Sequence, residues 1–226
     1  MLKVNDLIGL EQYLKIHDAN KEIHGQSLLY WAVFNKNLEF SKIIIEMGAD
    51  VNQKDHLRRS PLSISCFLGF TKLTNLLLEN GAKIDGTCME RAYYGWNGNI
   101  QIETLDILQE KGWINLYLDG LRKAPKGFTV ARNVEEALSI MQHNKIHILS
   151  LDHDLGMDEK GNLLQTGYDL VKIMCQRGLR ANKIYLHTSN VVGREAMYET
   201  LRASQRRGFI DDDIKIYFTE NSFTDC

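Results

Sequence analysis

The sequence predicts two parts: an all-α repeat solenoid over residues 1–112 and a five-stranded parallel α/β sheet over residues 113–226. Three observations carry this. The first half repeats itself at a spacing of 33 residues, from Gly48 to Gly81. The second half alternates strand-like apolar runs with amphipathic helical ones. Ionisable residues gather where those strand-like runs end. Composition sets the bounds. A chain of 226 residues can hold one large domain or two small ones, and 44% hydrophobic with 25% charged residues is ordinary for a globular protein. A formal net charge of -2 carries no general attraction to nucleic acid or an acidic membrane. Lys3, Asp6 and Glu11 interrupt the opening apolar residues, so no secretory leader is expected there. No apolar run is long enough to span a membrane. Cys66, Cys88, Cys175 and Cys226 are scattered without a CxxC pair, which predicts reduced thiols in a cytoplasmic protein rather than a zinc site or a disulfide framework.

The repeat is specific at the residue level. Leu29 falls on Leu62 and Ala32 on Ser65 at the same 33-residue offset as the glycines. That period, the turn Ser60-Pro61-Leu62-Ser63, and the endings Met47-Gly48-Ala49-Asp50-Val51-Asn52 and Asn80-Gly81-Ala82-Lys83-Ile84-Asp85 resemble the ankyrin repeat, with its TPLH turn and GADVN end. Small residues at Ala32 and Ser65 let paired helices approach. Ile43, Ile44, Leu76 and Leu77 supply the apolar face of each second helix. Gly48 and Gly81 stand where a helix ends in a left-handed residue. Leu7, Leu10 and Leu14 predict a capping helix before the repeats. Met89, Ala92, Leu105 and Leu108 predict a further unit after them, with a longer inter-helix loop at residues 94–98. The resemblance implies a protein-binding scaffold. Exposed aromatic candidates for the partner are Tyr30, Trp31, Tyr93 and Trp96, with Tyr94 beside them.

Beyond Gly112 the strands read as Ile114–Asp119, Phe128–Arg132, Ile146–Leu151, Lys183–His187 and Ile214–Phe218. Helices are expected from Asn133 to Gln142, Tyr168 to Cys175 and Gly193 to Arg206. Only Gly120 to Gly127 separates the first two strands, too little for a helix. Strand–helix alternation predicts a parallel sheet with helices on both faces, in the flavodoxin-like order 2-1-3-4-5. In that order the first and third strands are neighbours, and a ligand binds outside their carboxyl ends. There the sequence places Asp119, Asp152 and Asp154, with His187 and Ser189 on the next strand.

Acids after the first and third strands and a hydroxyl after the fourth resemble a response-regulator receiver. Two departures argue against ordinary phosphorelay: Gly120 replaces a second acid, and Lys215 begins the last strand instead of ending it. The match is closer to the cyclic-phosphate-processing receivers. Leu118-Asp119-Gly120-Leu121-Arg122-Lys123-Ala124-Pro125 resembles their LDDxRxxP, Ser150-Leu151-Asp152-His153-Asp154-Leu155-Gly156 their SLDHDLG, and His187-Thr188-Ser189-Asn190 with Gly193 and Met197 their HSxNPxG…M. This resemblance implies action on cyclic phosphates, either cyclic nucleotides or RNA with a 2′,3′-cyclic end.

Ring opening needs phosphate charge neutralised, a water activated and a leaving oxygen protonated. Asp152, His153 and His187 are the candidate catalytic residues. Arg122, Ser189 and Asn190 are the candidate phosphate ligands. Asp119, Asp152 and Asp154 are the candidate metal ligands, and an all-oxygen set of this kind suits Mg2+, with Mn2+ as a second choice. The alternative reading is a non-catalytic ankyrin module whose receiver-like part senses or sequesters a phosphorylated ligand.

Overall fold

The computed structural model describes residues 6–218. They divide into two compact units between Leu108 and Gln109. The first unit opens with α1 (Leu7–Leu14), started by Asp6, whose carboxylate accepts from the Gly9 N–H at 2.8 Å. A short hairpin of β1 (Glu22–Ile23) and β2 (Gln26–Ser27) leads into α2 (Leu28–Phe34) and α3 (Leu38–Glu46). The pairs α4 (Pro61–Leu68) with α5 (Thr71–Glu79), and α6 (Gly86–Tyr94) with α7 (Ile102–Glu110), follow. Helices α2, α4 and α6 stand in one row, and α1, α3 and α5 in a second.

Local chemistry sets these elements. Ser60 Oγ accepts from the Ser63 N–H at 3.1 Å while Ser63 Oγ accepts from the Ser60 N–H at 3.0 Å, and Pro61 fills the first helical position, where an N–H has no partner anyway. Ala32, Ser65 and Ala92 are wholly buried, which permits close helix approach. Gly48 and Gly81 follow α3 and α5 with φ of 90° and 84°, a region strained for any side chain. The connection between α6 and α7 is longer than in the other pairs and contains a 3-10 turn at Trp96–Gly98 with Asn97 left-handed, φ 57°. Asn52 ties one repeat to the next: its amide donates to Gly81 O at 3.1 Å and its Oδ1 accepts from the Lys83 N–H at 2.8 Å. Asn52→Ala is therefore expected to lower the repeat unit's unfolding free energy by about 1–2 kcal/mol, measured by urea denaturation.

The aromatic candidates divide. Trp96 is 54% exposed and Tyr94 44%, but Tyr30 and Tyr93 are buried. Trp31 is half-buried and donates its indole N–H to Ile23 O at 2.9 Å. The expectation of exposure is corrected for Tyr30 and Tyr93: both are buried, on α2 and α6, although Tyr94 beside Tyr93 is exposed. Tyr30 carries the Arg59 guanidinium 5.4 Å from its ring centroid.

The second unit holds β3 (Trp113–Leu118), β4 (Thr129–Ala131), α8 (Val134–His143), β5 (Lys145–Leu151), α9 (Gly167–Arg177), β6 (Ala181–Leu186), α10 (Val191–Arg206) and β7 (Lys215–Phe218). All strand pairs are parallel, in the order β4-β3-β5-β6-β7. This is the predicted order 2-1-3-4-5. Leu116, Leu118, Leu149, Leu151, Ile184 and Leu186 meet Ala137, Met174, Met197 and Leu201 of the three helices in one apolar core. The expectation of helices on both faces is corrected for the described residues. Helices α8, α9 and α10 contact one another in sequence and share one face, because the stretch between β3 and β4 is too short to form a helix. The alternate residues Tyr117, Ile148 and Ser150 lie on the opposite face and are buried. Among the described residues, no helix is long and apolar enough to cross a membrane.

Candidate functional site

Sheet register builds the site. Leu118, Leu151 and Leu186 pair across β3, β5 and β6. The ladder runs one residue further: the Asp152 N–H donates to Leu118 O and the His187 N–H to Leu151 O, each at 2.9 Å. Asp119, Asp152 and His187 therefore form one row at the carboxyl rim. All three are buried, and each offers one ligand atom within 4.8 Å of the others.

Asp119 is the hub. Its Oδ1 accepts from the N–H groups of Leu121 at 2.8 Å and Arg122 at 2.6 Å. Its Oδ2 lies 3.2 Å from both Tyr117 OH and His187 Nε2. Burial alone raises this carboxyl, but the backbone N–H groups of Arg122 and Leu121, with His187, outweigh it and hold it below the usual carboxylate range. Burial, then the Asp119 charge and hydrogen bond, push the Tyr117 hydroxyl up to about 12, so it remains a donor.

His187 is enclosed. Its Nδ1 meets Ser150 Oγ at 2.8 Å and its ring stacks on Tyr117 at 4.6 Å between centroids. Burial pulls the imidazole below its ordinary value, against the opposing hydrogen bond to Asp119 and the charges of Asp152 and Asp119. Both ring nitrogens are engaged and the side chain is 0% exposed, so His187 supports the site from behind instead of meeting solvent.

Arg122 bridges the row from the front. Its Nη1 donates to His187 O at 2.9 Å, its Nε lies 3.8 Å from Asp119 and its Nη2 3.9 Å from Asp152. Arg132 donates to the carbonyls of both Asp119 and Arg122 at 2.8 Å and fixes this loop. Tyr117, Ser150 and Arg132 were not among the sequence candidates. Tyr117 and Ser150 stand two residues before Asp119 and Asp152 on the same face of their strands, a period-two signal present in the sequence.

The residue after Asp119 explains a departure from the motif. A Cβ on Gly120 would run into the carbonyl of Leu155, which closes over the loop.

Asp154 stands outside the buried row. Its side chain is 61% exposed and lies 2.7 Å from His153 Nδ1. The bond from His153, against a smaller opposing effect of burial and with help from Asn190, holds this carboxyl below its usual range. Asn190 caps α10, its Oδ1 accepting from the Gly193 N–H at 2.8 Å, and its amide donates to Asp154 Oδ2 at 3.1 Å. Ser189 is exposed. Asp211 and Asp213 pair with Arg180 and lie away from the site.

The buried row could hold a divalent cation. In this arrangement His187 Nε2–H donates to Asp119 Oδ2 at 3.2 Å and Nδ1 accepts from Ser150 Oγ; ligation of a cation would require the ring proton to move to Nδ1, which frees the Nε2 lone pair. Among the described residues the ligand atoms of Asp119, Asp152 and His187 converge, and Asp154, the third acid of the sequence reading, lies outside that group.

A helical repeat unit followed by a receiver-type sheet with an acidic rim defines the class. Comparison with known families makes it specific. The cyclic-phosphate processing receiver domain matches residues 114–203, and ankyrin repeats, in three copies, match residues 3–88. The chain carries both in one polypeptide. Among curated proteins it is similar to protein phosphatase 1 regulatory subunit 27 of Homo sapiens, 36% identical over 73 residues, which are 32% of this chain and 47% of that protein. The Mus musculus protein of the same name is 36% identical over 87 residues, 37% of this chain and 56% of that one. An ankyrin repeat protein of fowlpox virus (strain NVSL) is 26% identical over 113 residues, 48% of this chain and 15% of that protein. The chain thus spans about half the length of the first two relatives.

Proposed function

We propose that the receiver unit hydrolyses cyclic phosphates with the help of a divalent cation, and that the ankyrin unit docks a protein partner that brings substrate within reach. The observation that supports this most is the meeting of two buried acids, an imidazole and the Arg122 guanidinium on one rim. Hydrolysis consumes one water: a P–O bond forms from it, one ring P–O bond breaks, and the product is a phosphomonoester beside a free hydroxyl. Arg122, 43% exposed, turns from the acids to the phosphate oxygens and neutralises them. His153 is half-buried at the mouth of the site. It takes the proton of the attacking water and returns it to the leaving ring oxygen. Asp152 receives the His153 backbone N–H on Oδ1 at 2.7 Å and keeps that residue over the row. A bound Mg2+ or Mn2+ supplies charge neutralisation and a more acidic water. The set of two oxygens and one nitrogen tolerates Mn2+ better than the all-oxygen set read from sequence.

The substrates in view are cyclic nucleotides and RNA with a 2′,3′-cyclic end. A panel of both is incubated with Mg2+, Mn2+ or chelator. Ring opening that needs metal and falls at least about 100-fold in Asp152→Asn is the expected result. A folded wild-type protein that opens no ring on the panel overturns the hydrolase reading and leaves a protein that binds its phosphorylated ligand without turnover. For the ankyrin unit, the relatives named as phosphatase regulatory subunits favour protein docking.

A further inference from the structure

The loop after β5 and the start of α10 hold a second constellation beside the buried row. His153 Nδ1 lies 2.7 Å from Asp154 Oδ1. The Asn190 amide reaches Asp154 Oδ2 at 3.1 Å and Oδ1 at 3.4 Å. Asn190 is itself immobilised, because its Oδ1 caps the Gly193 N–H at 2.8 Å. The His153 ring lies on the first turn of α10, where a Cβ on Gly193 would overlap its Cδ2, Cγ and Nε2 atoms. The Gly167 N–H donates to His153 O at 2.9 Å, so the backbone below the ring is anchored at the start of α9 as well.

We infer that Asp154 and Asn190 are positioning residues for His153, not metal or phosphate ligands, and that Gly193 supplies the flat surface on which the imidazole is oriented. An acid accepting from Nδ1 places the ring proton there and leaves the Nε2 lone pair for the reacting water. The amide of Asn190 then matches the remaining oxygen of Asp154, because an amide N–H₂ donates and a carboxylate only accepts. One residue thus links the motif after β6 to the motif after β5. Exposure separates the two acids of the Asp152-His153-Asp154 run: the Asp152 side chain is 8% exposed and joins the row, while that of Asp154 is 61% exposed and faces the histidine.

The catalytic part of this inference rests on the hydrolase reading, and the positioning part does not. Three measurements on the full chain keep them apart. The first is 15N NMR of the histidine rings, with His153 assigned by the signal lost in His153→Gln. The wild type shows the proton on Nδ1, and Asp154→Ala shifts the ring toward a mixture of tautomers. The second is Mn2+ binding followed by EPR, which stays within twofold of wild type in Asp154→Ala and is lost in Asp152→Asn. The third is turnover: Asp154→Ala and Gly193→Ala each lower kcat about 10–100-fold with KM within twofold. Gly193→Ala removes no ionisable group, so a matching loss there reports ring placement alone. An unchanged His153 tautomer in Asp154→Ala overturns the inference, as does loss of Mn2+ affinity in that variant, which makes Asp154 a ligand. If the wild type opens no ring while the tautomer responds as stated, the hydrolase reading falls and the positioning role stands.

Discussion

Gly120→Asp, which places the second acid of the LDDxRxxP motif in the chain, is expected to destabilise the receiver unit rather than strengthen cation binding. The position meets backbone, not a flexible side chain. A Cβ there would overlap the carbonyl oxygen, carbonyl carbon and Cα of Leu155, and Leu155 is itself buried in the core with 3% exposure. Relief requires the stretch from Asp152 to Gly156 to move, and that stretch carries the His153–Asp154 pair. Overpacking of this kind costs about 1–3 kcal/mol, and an added carboxylate beside Asp119 brings like-charge repulsion on top. Gly120→Ala separates the two effects: it retains the clash without the charge and is expected to lose about 1–3 kcal/mol by urea denaturation. If Gly120→Asp instead binds Mn2+ more tightly at wild-type stability, the loop is softer than its contacts indicate and the steric account of this departure fails.

Much of the fold was legible because it repeats or alternates. The 33-residue offset places α2 to α5. Strand runs ending in charged residues place β3, β5 and β6, and the sheet order follows from the strand–helix rhythm. The site was legible to the extent that register makes it so. Asp119, Asp152 and His187 each follow the last residue of a strand, and such positions line up at one rim. Side-chain direction was not legible. Asp152 and Asp154 look alike in sequence, yet the backbone leaves the sheet between them, and only the first stays in the row. Burial was hidden for a related reason. Tyr30 and Tyr93 are as aromatic as Trp96, but exposure depends on where a residue sits around its helix or in a turn: Tyr93 is buried and Tyr94 exposed on the same helix, and Trp96 lies in the turn after it. The supports of the site, Ser150 and Tyr117, share the period-two face of Asp152 and Asp119, but that spacing marks only the face; the role of each hydroxyl depends on its partner across the sheet.

Asp119→Ala is expected to be strongly destabilising, and the stability of the receiver unit is expected to fall in two stages on acidification. The carboxylate is 1% exposed and satisfies the N–H groups of Leu121 and Arg122, the Tyr117 hydroxyl and the His187 ring together. Its removal leaves those donors buried without an acceptor, a loss of about 3–5 kcal/mol. Asp119→Asn keeps the shape and one acceptor oxygen, and loses less. The pH dependence follows from the same geometry. Burial depresses His187 below its unfolded value of about 6.5, so it is neutral in the fold while the unfolded chain takes up a proton. The stability it contributes is complete above about pH 6.5 and declines as pH falls through that value toward the lower folded one. Asp119 is depressed below its unfolded value of about 3.9, so its contribution persists through the first stage and is lost only as pH falls below about 4. Denaturation midpoints between pH 8 and pH 3 separate the two. His187→Gln flattens the slope just below about pH 6.5 and leaves the fall below about pH 4. A slope in the upper window that is the same in wild type and His187→Gln assigns the loss to another histidine and removes His187 from the account.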